Sequence, residues 1–179
     1  MANRQEQLNL IRENIASYPD FPKKGILFWD IFSVLQNPVL FHTLKDVLIQ
    51  IAREITPPIE CVSALDARGF LFGPLIALDL NIPFVPIRKK GKLPGEVLTV
   101  SYSKEYGEDT LELQLGSIKK GQRVLLVDDL LATGGSLACG CELIKKAGGD
   151  PATCLVIIEL EDLKGRENIP HNIISLLKF

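Results

Sequence analysis

Asp128 and Asp129 stand side by side, and Thr133-Gly134-Gly135-Ser136 follows shortly after them. The apolar run Val124 to Val127 leads into the acids without alternation, as a strand buried on both faces of a parallel sheet does. Leu137 to Lys146 reads as a helix on the far side. In open α/β sheets, ligands sit past the carboxyl ends of strands, against the start of the next helix. Glycines there let the backbone approach a ligand, and the N–H groups of the helix start bind an anion. Thr133 and Ser136 add hydroxyl donors, so Ala132, Thr133, Gly134, Gly135 and Ser136 read as a phosphate cradle. Two carboxylates beside it would repel a bare polyphosphate. They suit a sugar diol joined to a single phosphate, which describes a ribose 5-phosphate group. The plainer alternative is that the acids cap a turn and the glycines only shape it. The conjunction of an acid pair, this spacing and a strand–loop–helix context disfavours it. A dinucleotide site is disfavoured too, since no Gly-x-Gly-x-x-Gly follows a predicted strand, and no Walker sequence is present.

Two further stretches carry cations to where strands end. Ile59 to Leu65 predicts a strand, followed by Asp66-Ala67-Arg68-Gly69 and a helix from Phe70 to Leu80. Ile82 to Ile87 predicts another, and Arg88-Lys89-Lys90-Gly91-Lys92 leaves its end with four cations in five residues. A charge run is most often a solvated turn. At a carboxyl edge, in a chain of net charge −2, it reads instead as a local anion site. The planar fork of Arg68 suits phosphate oxygens.

The elements that must position these groups follow from the rest of the pattern. Gln5 to Ser17 predicts an amphipathic helix through Leu8, Ile11 and Ile15, and Pro38 to Glu54 a second helix. Residues 20–31 are apolar but too punctuated for a regular helix. Val97 to Tyr102 and Thr110 to Leu115 predict strands joined by a polar loop, Ser103 to Asp109, long enough to act as a lid. Thr153 to Leu160 and Ile173 to Leu177 complete the set. Strands alternating with helices imply an α/β fold, a doubly wound and mostly parallel central sheet with flanking helices, in one domain over 1–179. At 179 residues, 46% hydrophobic and 23% charged, the chain can bury a substantial core. Its charge disfavours general nucleic-acid binding, and no apolar run reaches membrane-spanning length. The N-terminus lacks a signal-peptide core, so a cytoplasmic location is expected. Cys61, Cys139, Cys141 and Cys154 lack zinc spacing and read as reduced core residues. His42 reads as a helix-surface residue and His171 as a loop residue, neither of them catalytic.

Val124 to Leu137 resembles the binding motif of the type I phosphoribosyltransferases, which bind phosphoribosyl pyrophosphate (PRPP). Asp66 to Gly73, Arg88 to Gly95, Tyr102 to Gly107 and Leu163-Lys164-Gly165-Arg166 occur in the order and spacing of the family's adenine-using branch. Phe21-Pro22 through Phe28, with Asp30-Ile31, resembles the N-terminal hood of that branch, here about residues 18–34. The resemblance implies transfer of the 5-phosphoribosyl group from PRPP to adenine, giving AMP and pyrophosphate in purine salvage. It implies Mg²⁺ held mainly by PRPP and pyrophosphate rather than by protein ligands, and a homodimer in which Arg88 and Lys92 can serve the neighbouring site. By the same resemblance Asp128 and Asp129 grip the ribose hydroxyls and favour the cationic transition state. Arg68, Arg88, Lys89 and Lys92 receive pyrophosphate. Glu105 assists at N7 of the base, Tyr106 closes over the ring, Leu27, Phe28 and Trp29 read the base through backbone groups, and Leu130 packs on it. Trp29 departs from the family, where arginine often stands. Two alternatives share the central motif. A PRPP-sensing regulator has no use for a base-closing loop, and a 6-oxopurine or orotate transferase would lack Glu105-Tyr106.

Overall fold

The N-terminal helix stops earlier than its apolar spacing suggests. In the computed structural model, which describes residues 3–104 and 107–179 and the side chains among them outside 103–108, α1 covers Arg4–Asn14. Asn3 caps it: its Oδ1 accepts from Glu6 N at 2.9 Å, and Glu6 Oε2 accepts from Asn3 N at 2.9 Å. Ile15, expected inside the helix, turns extended, and Ala16–Pro19 forms β1. This strand pairs antiparallel with β2, Leu27–Asp30, setting Ser17 opposite Trp29. Pairing with β2 satisfies the backbone of residues that Pro19 would not allow to continue as helix. Asp30 ends β2 and caps α2 (Ile31–Leu35) by accepting from Phe32 N at 3.0 Å. Helix α3 spans Pro38–Glu54, the expected bounds, and the Asn37 side chain accepts from Val39 N at its start. The chain divides into two compact units, Met1–Ile51 and Ala52–Phe179.

The second unit is built on a seven-stranded sheet. Its elements are β3 (Cys61–Leu65), a 3-10 turn at Arg68–Leu71, α4 (Gly73–Leu80), β4 (Phe84–Lys89), β5 (Val97–Lys104) and β6 (Gly107–Gln114). Then come β7 (Arg123–Leu131), α5 (Gly135–Lys146), β8 (Asp150–Glu159), 3-10 turns at Glu161–Leu163 and Gly165–Asn168, and β9 (Ile173–Lys178). The strand order is β5-β6-β4-β3-β7-β8-β9. Strands β4, β3, β7, β8 and β9 run parallel, and β6 and β5 add an antiparallel edge. Val124 to Val127 are completely buried, as the continuous apolar run requires. Gly73 of α4 lies against Ala64, and Gly140 of α5 against Leu65 and Leu126. Since neighbouring strand residues face opposite ways, the two helices cover opposite faces of the sheet.

Three of the differences from the sequence expectation bear on the site. The helix expected from Phe70 begins at Gly73, with Pro74 in its first turn, after the separate 3-10 turn. The expected loop over 103–109 is largely strand, because β5 and β6 pair from Val97↔Gln114 to Lys104↔Gly107. Strand β7 does not close at the acids but continues to Leu131, with Asp128 opposite Val156 and Leu130 opposite Ile158. Backbone pairing to β8 carries it on, and that ladder needs no apolar side chains.

Candidate active site

Strands β4, β3 and β7 are neighbours, and their carboxyl ends bring three chain segments to one edge. Asp66 N bonds Ile87 O at 2.9 Å, so β3 and β4 end almost level. A cavity of about 520 Å³ opens there. From the first segment Leu65, Asp66, Ala67 and Arg68 line it, from the second Arg88, Lys89 and Lys92, and from the third Asp128, Asp129 and Ser136. The antiparallel edge adds Tyr102, Asp109 and Leu111.

Three ion pairs cross this cavity. Arg68 Nε donates to Asp129 Oδ2 at 2.5 Å, and Asp129 is only 5% exposed. Arg88 Nε donates to Asp66 Oδ2 at 2.9 Å, and its Nη1 reaches Lys92 O at 3.2 Å. The same guanidinium lies 6.0 Å over the Phe70 ring centroid. Lys89 Nζ stands 3.9 Å from Asp109 Oδ2. Asp128 Oδ1 accepts from Asp129 N at 3.0 Å. Burial, and then the neighbouring Asp129 carboxylate, push the Asp128 carboxyl well above the usual carboxylate range.

The loop after β7 turns at Gly134, whose φ of +85° suits glycine, and α5 begins at Gly135. Backbone N–H groups at this helix start face an approaching anion. The Tyr102 ring lies against Gly135, and its hydroxyl is 2.9 Å from Ser136 Oγ and 3.4 Å from Asp109 Oδ2. The arrangement offers an anion cradle, an acid pair beside it and four cations across the cavity. It can hold a sugar phosphate at one end and a second anion at the other.

Residues 32–178 match the family described as the phosphoribosyl transferase domain. An adenine phosphoribosyltransferase of Drosophila pseudoobscura pseudoobscura is 48% identical over 175 residues, covering 98% of this chain and 97% of its own. The chain belongs to the adenine phosphoribosyltransferase family. The human adenine phosphoribosyltransferase is 44% identical over 178 residues, covering 97% of each chain. Among solved structures, adenine phosphoribosyltransferase from Saccharomyces cerevisiae, complexed with an imino-altritol bisphosphate and adenine, superposes with a TM-score of 0.90. It is 40% identical and covers 97% of this chain and 99% of its own. The enzyme from Thermoanaerobacter pseudethanolicus gives a TM-score of 0.90 at 43% identity, covering 96% and 99%.

Of the adenine phosphoribosyltransferase positions expected from sequence, Arg68, Arg88, Lys89, Lys92, Asp128, Asp129 and Ser136 meet at the one cavity. Arg88 and Lys92 line the cavity of their own chain. Ala132, Thr133, Gly134 and Gly135 form the adjoining turn and helix start, and Leu130 lies half-buried on β7. Leu27, Phe28 and Trp29 lie on β2 in the first unit, Leu27 exposed and the other two half-buried. Glu105 and Tyr106 lie outside the described residues. Sequence reasoning missed Asp66, Tyr102 and Asp109 as cavity residues. Asp66 directly follows β3, as Asp128 nears the end of β7, so the same end-of-strand rule finds it. Tyr102 follows buried Val100 at a spacing of two along β5, which turns both to one face. All four cysteines are buried free thiols, and burial pushes Cys61 and Cys139 up to about 11. His42 is exposed on α3, and His171 is half-buried before β9.

Proposed function

We propose that the protein is a purine salvage enzyme that transfers the 5-phosphoribosyl group of PRPP to adenine, giving AMP and pyrophosphate. The observation that carries this is the meeting of the Asp128–Asp129 pair, the phosphate loop and the Arg68–Arg88 cations at one cavity of a family chain. The 5′-phosphate rests on Ala132 to Ser136. Asp128 and Asp129 grip the 2′ and 3′ hydroxyls. As the bond from C1 to pyrophosphate breaks, positive charge grows on the ribose, and these carboxylates favour it. Arg68, Arg88, Lys89 and Lys92 take the departing pyrophosphate, with Arg68 exchanging Asp129 for the ligand.

Adenine reacts as the tautomer with its proton on N7: N9 bonds to C1 as the bond to pyrophosphate breaks, the Glu105 carboxylate takes the N7 proton, and Tyr106 closes over the ring. Tyr102 and Asp109, on the strands flanking that segment, line the cavity, which supports the assignment. Residues 18–34 serve as the hood of a single catalytic domain, and there the backbone of Leu27 to Trp29 reads the base: a carbonyl takes the N6 proton and an N–H meets N1. Leu130 packs on the ring. Mg²⁺ would be held mainly by the phosphates and hydroxyls of PRPP and by pyrophosphate, with water completing its shell. The lining suits a metal carried in by the ligand, since Asp66, Asp129 and Asp109 already face Arg88, Arg68 and Lys89. When bound, it neutralises charge on the diphosphate. The working form is a cytoplasmic homodimer. A net charge of −2 supports small anionic ligands over nucleic acid, and among the described residues no helix is long and apolar enough to cross a membrane.

Pyrophosphate release from PRPP, measured with adenine, hypoxanthine, guanine or no base, tests the proposal. Release is expected with adenine. Equal release without a base, or with every base, overturns it.

A further inference from the structure

Leu163-Lys164-Gly165-Arg166, quoted above only for its resemblance, has no part in the chemistry just described, and none of these residues lines the cavity. Its surroundings give it one. Gly165 is buried with its Cα pressed on the phosphate loop: a Cβ there would overlap the Ala132 carbonyl oxygen and lie 2.9 Å from Gly134 N. The contact is reciprocal, because a Cβ on Gly134 would overlap the Gly165 carbonyl oxygen. Three residues on, Asn168 Nδ2 donates to Thr133 O at 2.9 Å, and both residues are exposed.

The turn is itself tied to the sheet. Arg166 grips Glu159 with a two-point fork, Nε to Oε1 at 3.0 Å and Nη2 to Oε2 at 2.6 Å. Its Nη1 donates to Ile173 O at 2.8 Å, and Ser175 Oγ bonds the same Glu159 carboxylate. Glu159 is 5% exposed and pairs in register with Leu131, the residue directly before the loop. One residue at the end of β8 thus serves both, its backbone in register with the loop's point of departure and its carboxylate holding the turn that presses on the loop.

We infer that Gly165 and Asn168 are positioning residues for the 5′-phosphate: the Gly165–Asn168 turn braces Ala132 to Gly134 from outside the cavity and holds the loop in its anion-receiving shape. The anion's N–H donors lie in the segment that Thr133 and Gly134 join to β7. Freeing the Thr133 carbonyl lets that segment rotate and costs phosphate affinity without touching a ligand atom. The inference rests on the reading that the loop receives the 5′-phosphate of PRPP.

Asn168→Asp and Asn168→Ala test it on an exposed residue. Asp keeps the shape but cannot donate to Thr133 O. Three quantities are measured on each variant and the parent: melting temperature, KM and kcat with each substrate, and the Kd for ribose 5-phosphate by calorimetry. Both variants are expected to raise the PRPP KM and the ribose 5-phosphate Kd by roughly 3- to 10-fold, the effect of losing one hydrogen bond. Melting temperature and adenine KM stay at parental values. Gly165→Ala is expected to weaken ribose 5-phosphate more than either. An unchanged ribose 5-phosphate Kd in both Asn168 variants overturns the brace, as does a fall in stability with both KM values moving together. A parent that binds ribose 5-phosphate but makes no AMP removes the proposed activity and leaves the Kd comparison to judge the brace. A parent that binds no ribose 5-phosphate overturns both.

Discussion

Asp128 carries the sharpest expectation at the scale of single residues. Asp128→Asn keeps size and hydrogen-bonding atoms while removing charge, so kcat is expected to fall by about 10²-fold or more if the acid stabilises a cationic transition state. A change confined to the PRPP KM would reduce its role to gripping ribose. Its titration gives a second handle. Burial and Asp129 raise this carboxyl, and the ionised form is the useful one, so activity should fall as pH drops through a value above the ordinary carboxylate range. In Asp129→Asn one of the raising causes is gone, and the midpoint of the remaining activity should move to lower pH. A midpoint that stays put would mean the profile reports another group. Tyr102 offers a quieter test. Its hydroxyl stands 2.9 Å from Ser136 Oγ, and Tyr102→Phe should raise the PRPP KM by about 2- to 10-fold with adenine KM unmoved. Equal PRPP KM values would leave the tyrosine as packing against Gly135.

Among elements, β8 and the turn after it make a stability prediction. The Arg166 fork, with help from Ser175, holds the Glu159 carboxyl below its usual range. A lowered carboxyl contributes stability above the ordinary glutamate value of about 4.3 and loses it as pH falls through the lowered one. Glu159→Gln should therefore cost about 2 kcal/mol at pH 7, less than a fully buried pair because the Arg166 side chain is 40% exposed. The gap between parent and variant should begin to narrow below about pH 4.3 and close as pH falls through the lowered value. Denaturant melts at pH 7 and pH 3.5 decide it, and a gap equal at both would assign the cost to packing alone. This network was not legible in the sequence, because Glu159, Arg166 and Ser175 share no local pattern and meet only through the pairing of β8 with β9. The central strand was legible for the opposite reason: Val124 to Val127 announce two-sided burial without reference to anything distant. Pro38 to Glu54 was read to its ends, with Pro57-Pro58 closing the segment. Ile15 to Ser17 was misread as helix, since a strand made by pairing with Leu27–Asp30 leaves no periodic trace over four residues. The acid pair and glycine loop were found from their own spacing, whereas Asp109 stood in the expected loop and reaches the cavity because β6 extends back through it to pair with Tyr102.

For the molecule as a whole, base choice is the property to measure. Adenine donates at N6 where hypoxanthine accepts, and a site built from backbone groups cannot reorient to suit both. The ratio of kcat/KM for the two bases should reach about 10⁴. Ratios near unity would dismiss backbone reading by the hood. A last consequence follows from the strand order. The acids of β7, Asp66 of β3 and Arg88 of β4 stand on three successive strands, and strands in a sheet repeat about every 4.8 Å. The sheet is therefore a ruler laid under the ligand, graduated in strand widths. From the backbone of the β7 acids to that of Arg88 on β4 is two graduations, roughly 10 Å, and no side-chain exchange alters that interval. Drift in sequence can re-letter the marks, but a donor of different length would need a different sheet.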